Sequence, residues 1–382
     1  MATYKQYSNS KGKFWEVKAY LGLDEETGKQ VQISKRGFKT KKQAVDYYKQ
    51  RQNLFDSDLD LQNNSLNVEQ LYHEWLDQYK LDVQKSTLRV TMTNFKLHIL
   101  PSLGKIKIDK LKTRTIQNLV NEWHKRYKKH KEIFNLLKRL MKYAVTMDYI
   151  FTNPCDKVII PKKKIEYYSP SRDRDFYNKD ELEEFLRILE KSNKPMWYCF
   201  FRILAFTGLR RGEALALTWN DINFKESTLS VNKSLSRGND GLYIGRPKNE
   251  SSIRTIGIDQ NTLSVIHQWK KKQAQEFLKL GQNLLSSDQF LFRKADINFP
   301  INQSAPRNFL YRFCKSNELP MINIHGFRHT HCSLLFESGV PIKEVMERLG
   351  HADIQTTMNI YTHVTPQSRE KSANKFAKYV NF

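Results

Sequence analysis

The sequence predicts a multidomain, mainly α-helical protein with a small three-stranded β-sheet plus helix at its N-terminus, a helical middle domain and a mixed, mostly α C-terminal domain with a small antiparallel sheet. Three observations lead there. Apolar residues alternate with period two only near the N-terminus and around residues 229–258. Elsewhere they recur with helical spacing. Two polar stretches divide these patterns, so we expect residues 1–56, a linker at 57–65, a helical domain at 66–160, a connector at 161–176 and a last domain at 177–382.

In the first segment Trp15, Val17, Ala19 and Leu21 alternate with Glu16, Lys18 and Tyr20. After the polar connection Asp24–Lys29 the alternation resumes at Val31 and Ile33, which predicts a hairpin. Arg36–Lys39 reads as the third strand. Thr40-Lys41-Lys42-Gln43 has the form of a capping box and starts a helix carrying Ala44, Tyr47 and Tyr48. Asp56–Ser65 is polar and reads as the linker. Val68, Leu71, Tyr72, Trp75, Leu76 and Tyr79 then form one apolar stripe. A second helix opens at Ser86 and reaches about Ile99, where Pro101 and Gly104 break it. Two more run from Leu111 to about Tyr127 and from Glu132 to about Met147. Leu182, Phe185, Leu186 and Leu189 begin the last domain.

The 64 Lys and Arg face 40 acids, a net charge of +24, and an excess of that size calls for a polyanionic partner, nucleic acid first. Lys18, Lys35 and Lys39 flank the N-terminal strands; that face reads equally as a solvated surface or as a ribbon gripping phosphates. Lys128, Lys129, Lys138 and Arg139 belong to a basic run that only Glu132 interrupts, and Lys163 lies in the connector; these read as phosphate contacts. The four cysteines are scattered without a CxxC pair, which argues against a zinc ribbon or a disulfide framework and fits a reducing cytoplasm. No apolar run is long enough for a membrane span, and the N-terminus has no signal core.

Three clusters in the last domain carry chemistry. Thr207-Gly208-Leu209-Arg210-Arg211-Gly212-Glu213 sets a guanidinium between glycines, where backbone can approach a phosphate. Lys248 lies on a turn or strand end between strands at 229–231 and 254–258. Taken alone, each also reads as an ordinary turn. His325, Arg328, His329, His331, His351, Tyr361 and His363 crowd the third cluster. His325 and Arg328 share a helix face; Pro341 and Gly350 bound a helix, and His351 follows it, free to point into a cleft. His325 and His329 have a zinc-capable spacing, but no carboxylate lies between them and the neighbouring arginines would repel a cation.

TGLRRGEALAL at 207–217, PKNESSIRTI at 247–256, HGFRHTHCSLL at 325–335, LGH at 349–351 and Tyr361 ten residues later resemble, in order and spacing, the tyrosine recombinase (phage integrase) family. The helical domain looks like the family's core-site-binding domain. The first segment is similar to the arm-site-binding domain of integrases from Gram-positive phages and conjugative transposons. The resemblance implies a site-specific recombinase of a mobile element that works through a 3′-phosphotyrosine, without metal, ATP or cofactor. It implies Tyr361 as nucleophile, Arg210 and Arg328 as phosphate clamps, and His325 as the base for the phenol. Lys248 becomes the acid for the leaving oxygen, His351 a phosphate donor and Glu213 the orienting residue. The implied partners are double-stranded DNA at core and arm sites, a homotetramer on DNA, an excisionase and a DNA-bending host factor. A chromosome-dimer or cassette recombinase and a non-catalytic DNA-binding protein are the alternatives; the N-terminal segment disfavours the first, and the five-part constellation the second.

Overall fold

The computed structural model describes residues 2–9, 12–23, 30–63, 66–162, 176–247, 249–281, 286–355 and 357–358. The chain divides into two compact units, Met1–Lys164 and Ile165–Phe382. No helix among the described residues is long and apolar enough to cross a membrane.

The first unit opens with an antiparallel sheet of order β1-β2-β3, built from β1 (Ala2–Asn9), β2 (Gly12–Leu23) and β3 (Gln30–Phe38). Three strands were expected, but their identities differ. Arg36–Phe38 is the end of β3 rather than a strand of its own, kept in the ladder by a bulge at Trp15/Glu16, with Gly37 at φ +95°. The third strand is β1, whose Tyr4 and Tyr7 pair with Val17 and Phe14. The connection Asp24–Lys29 lies outside the described residues.

The helix α1 (Lys41–Asn63) follows, and Ala44 meets Val17 and Ala19 in the buried layer. The amide of Gln43 donates to Thr40 Oγ1 at 3.2 Å, and Gln43 Oε1 accepts from the Lys39 amide at 3.1 Å, so the box closes one residue earlier than the usual form. The backbone stays helical through residues 57–63, a stretch expected as linker. It contains neither Gly nor Pro to stop the helix.

The helices α2 (Val68–Asp82), α3 (Lys85–Asn94), α4 (Leu100–Leu103), α5 (Thr113–Arg126) and α6 (His130–Thr146) enclose the second core of this unit. Asn67 and Gln70 form a reciprocal capping box on α2. Tyr72 stacks on Phe95 and Trp75 on Tyr79, each pair with centroids 4.4 Å apart. Pro101 does not break the chain as expected. A π-turn at Phe95–Ile99 widens the helix, so Pro101 falls in the first turn of α4, where its missing N–H costs nothing; Gly104 is the stop.

In the second unit α7 (Lys179–Lys191), capped by Asn178 and Glu181, packs on the apolar α8 (Pro195–Thr207). The short α9 (Arg211–Leu215) leads into β4 (Ile222–Asn223), β5 (Thr228–Val231), β6 (Ser234–Gly238), β7 (Gly241–Gly245) and β8 (Arg254–Gly257). The sheet has order β4-β5-β8, and β6-β7 is an excursion from it. Then come α10 (Gln260–Lys279), α11 (Ala305–Ser316), α12 (Gly326–Glu337) and α13 (Ile342–Leu349). Phe200, Phe201, Phe185 and Phe327 fill the centre, with α7, α10 and α12 arranged on α8.

Two left-handed glycines end helices at the point where the segments described below meet. Gly208 (φ +64°) closes α8 and Gly350 (φ +67°) closes α13. A Cβ at Gly208 would lie 2.5 Å from Leu349 Cδ2 and 2.7 Å from His331 Cδ2. Gly208→Ala combines left-handed strain with overpacking and should cost about 2–4 kcal/mol. Scanning calorimetry should show the midpoint down by about 5–12 °C; a fall under ~2 °C would contradict this packing.

Candidate active site

The site is assembled around Glu213, which is 2% exposed on α9. Its Oε2 accepts the Arg210 amide at 3.0 Å and its Oε1 accepts Arg210 Nη1 at 2.8 Å. Arg254, on β8, donates Nη2 to Oε2 at 3.1 Å. Burial alone would raise this carboxyl, yet Arg254 and the two hydrogen bonds from Arg210 hold it below the usual carboxylate range. Glu213 is therefore a fixed anion between two cations. Arg210 also donates Nη1 to Ser252 Oγ and Nη2 to the Gly350 carbonyl, each at 3.3 Å, while part of its side chain stays open to solvent.

Arg328 lies in the first turn of α12 and is 1% exposed. Its Nη1 and Nη2 donate to the carbonyls of Gly208 and Leu349, both at 2.7 Å. Glu213 is close enough to favour its charge, but no carboxylate among the described residues makes an ion pair with it. Burial, then the neighbouring Arg210 charge, pulls this guanidinium down to about 9, which leaves it cationic at neutral pH. A buried cation without an ion-pair partner among the described residues, at the positive end of a helix and beside another cation, breaks three stabilising rules together. An anion placed there would satisfy all three.

His325 precedes α12 and keeps an exposed edge. Partial burial, then His329 and the charges of Arg328 and Arg210, pull its imidazole down to about 4. The two rings meet edge-on with centroids 4.7 Å apart. His351 was expected to stand free in a cleft. It is instead buried, with Nδ1 paired to Thr357 Oγ1 at 2.8 Å. Burial, then Arg328, Arg210 and His325, pulls it down to about 3. Both imidazoles are neutral at pH 7. Arg210, Arg328, His325 and His351 therefore sense one another, although α9, α12 and the turn after α13 bring them from positions up to 141 residues apart. Beside them Arg210, Arg211, Arg307, Tyr311 and His325 border a cleft of about 740 Å³.

Tyr361, Lys248 and Lys163 lie outside the described residues. Lys248 is bracketed by β7 and by a tight turn at Glu250–Ser252. The other lysines and Arg139 belong to the first unit. Lys18 pairs with Glu16 at 3.6 Å, Lys35 lies over the Tyr47 ring at 4.5 Å, and Lys39 is exposed. Lys129 pairs with Glu132 at 3.2 Å and Lys138 with Asp156 at 3.0 Å. Arg139 donates to Tyr79 Oη at 3.3 Å, and Lys128 is exposed.

Motif reading assigned nothing to Arg254, Ser252, Thr357 or the carbonyls of Gly208, Leu349 and Gly350. Arg254 lay inside a quoted motif, but strand alternation gives no sign that its side chain reaches α9. His331 was named in the third cluster without a role. Nδ1 bonds to the Ala205 carbonyl at 2.8 Å, so it carries the proton, and Nε2 accepts from Arg348 Nε at 3.1 Å.

Residues 175–368 match the model of the phage integrase family, 67–124 that of the phage integrase N-terminal SAM-like domain, and 5–53 that of an arm DNA-binding domain. The chain is 26% identical over 367 residues to the ICEBs1 integrase of Bacillus subtilis strain 168, covering 94% of this chain and 96% of that protein. It is 29% identical over 391 residues to a tyrosine recombinase XerC-like protein of Caldanaerobacter subterraneus subsp. tengcongensis, covering 97% of each. Among solved structures, the Tn1549 transposon integrase in complex with transposon right end DNA superposes with a TM-score of 0.64 at 23% identity, covering 82% of this chain and all of that one.

Burial, then Arg348, pulls His331 down to about 3, against about 6.5 for an unfolded histidine. Between these values the unfolded chain binds a proton that the folded chain refuses, so stability falls as pH drops from 6.5. His331→Gln should melt lower than wild type at pH 7.5 yet lose less between pH 6.5 and 4.5. Equal losses in wild type and variant over that window would remove His331 from the account.

Proposed function

The chain belongs to the phage integrase family and is a tyrosine-type site-specific DNA recombinase of the mobile-element kind; on that premise we propose how its residues divide the work. Tyr361 attacks the scissile phosphate, forming a 3′-phosphotyrosine and releasing a 5′-hydroxyl. The bond energy is kept in the ester, so no ATP is consumed. Arg210 and Arg328 grip the non-bridging oxygens and stabilise the charge of the pentacoordinate transition state. His325 accepts the phenol proton; a tyrosine of pKa about 10 needs such a base or a strong positive field at neutral pH. Lys248 protonates the departing 5′-oxygen and His351 donates to the phosphate. Glu213 orients Arg210. Attack of a 5′-hydroxyl from the partner strand reverses the step and rejoins DNA.

The observation that carries this reading is the buried cation of Arg328, which has no carboxylate ion-pair partner among the described residues and sits beside the latched Arg210. A phosphodiester supplies the missing charge. The neutral state of His325 supports its role as base, because only an unprotonated imidazole accepts the phenol proton.

The organisation follows the same lines. Residues 1–56 bind arm sites, 57–65 link, 66–160 bind the core site, 161–176 connect and 177–382 cut. The lysines of the first unit contact phosphates. Four protomers exchange strands on DNA in the cytoplasm, with an excisionase and a DNA-bending host factor setting direction. The DNA in the Tn1549 integrase complex is a transposon right end, which supports an element end as the core site.

The test uses a duplex that the protein selects from a randomised pool, nicked to trap the cut strand, in chelator. Wild type should yield a covalent protein–DNA band on a denaturing gel, and Tyr361→Phe none. Arg328→Ala should slow its formation by about 10²–10³-fold. Cleavage that survives in Tyr361→Phe, or that the chelator abolishes, would overturn the assignment.

A further inference from the structure

We propose that Arg254 is a positioning residue for strand cleavage, resting on the reading above that Arg210 grips the scissile phosphate. Its guanidinium joins three segments that carry catalytic candidates. Nη2 donates to Glu213 Oε2 at 3.1 Å, Nε to the Arg348 carbonyl at 2.7 Å, and Nη1 to the Ser252 carbonyl at 2.9 Å. Glu213 holds Arg210. Arg348 lies in the last turn of α13, two residues before Gly350 and three before His351. Ser252 belongs to the tight turn that follows Lys248 and also receives Arg210 Nη1 through its hydroxyl.

Each of the three nitrogens serves a different segment, so the planar fork sets their spacing. A lysine offers one donor centre and cannot reproduce it. The chain has also cleared space for this side chain. A Cβ at Gly350 would lie 3.1 Å from Arg254 Cδ and 3.2 Å from Nη1, as well as 2.8 Å from the Ser251 carbonyl. The left-handed turn that delivers His351 and the Arg254 side chain therefore fit each other. Arg254 is only 7% exposed and its charge is balanced by Glu213, so its part is to fix Arg210 and the His351 turn rather than to touch DNA.

The test compares full-length wild type, Arg254→Gln, Arg254→Lys, Glu213→Gln and the Glu213→Gln/Arg254→Gln double variant on the selected nicked duplex. Duplex affinity, thermal midpoint and single-turnover formation of the covalent complex are read in parallel. Arg254→Gln should cleave about 10–100-fold more slowly while duplex affinity stays within about threefold. Arg254→Lys should fold as wild type and still lose at least about fivefold in rate. Because Arg254 and Glu213 share one network around Arg210, the double variant should lose clearly less than the product of the two single penalties. Multiplying penalties, an unchanged rate, or losses in rate that only track losses in affinity and midpoint would each overturn the proposal. Absence of a covalent complex with wild type would instead overturn the parent reading.

Discussion

One buried carboxylate organises the C-terminal unit. Glu213 sits between Arg210 and Arg254, and each partner extends the network to a different part of the chain. Removing a charge from water costs several kcal/mol unless it is paired and hydrogen-bonded. Glu213 meets that condition with one backbone and two guanidinium donors, which leaves its position little freedom. The rest of the site takes its place from there: Arg210 faces the cleft, Arg254 holds the α13 terminus, and the turn that follows brings His351 beside them.

Arg328 shows the complementary situation. It is as buried as Glu213, yet among the described residues only two carbonyl oxygens receive it. Those carbonyls belong to Gly208 and Leu349, at the ends of α8 and α13, where helices leave acceptors unused. The helix ends thus solvate the guanidinium without neutralising it. A site built this way has excess positive charge in a low dielectric; burial first, then this charge, keeps His325 and His351 unprotonated. That charge makes the site electrostatically suited to an anion.

The first unit uses its charge differently. Lys18, Lys129 and Lys138 lie within ion-pair reach of Glu16, Glu132 and Asp156, and Lys35 covers an aromatic ring. Exposed pairs of this kind contribute little and are screened by salt. Pairs this weak leave their lysines little bound to the local carboxylates.

Much of this was readable from residue order. Period-two and helical-period patterns located the sheets and helices, because burial of one face imposes its own spacing on the chain. The helix start at Thr40–Gln43 and the stop at Gly350 mark where local backbone chemistry decides alone. The motifs at 207–217, 325–335 and 349–351 named Arg210, Glu213, His325, Arg328 and His351 together. Where longer-range contacts decide, the reading failed. The strand β1 forms because β2 offers it an edge, α1 continues because nothing stops it, and Pro101 is tolerated because a π-turn shifts it into the start of α4. The contacts of Arg254, the burial of His351 and the lack, among the described residues, of a carboxylate partner for Arg328 are invisible in the sequence. Each depends on which carbonyl or carboxylate ends up within 3 Å of a side chain, and only the folded chain brings those atoms, up to 120 residues apart, to that distance.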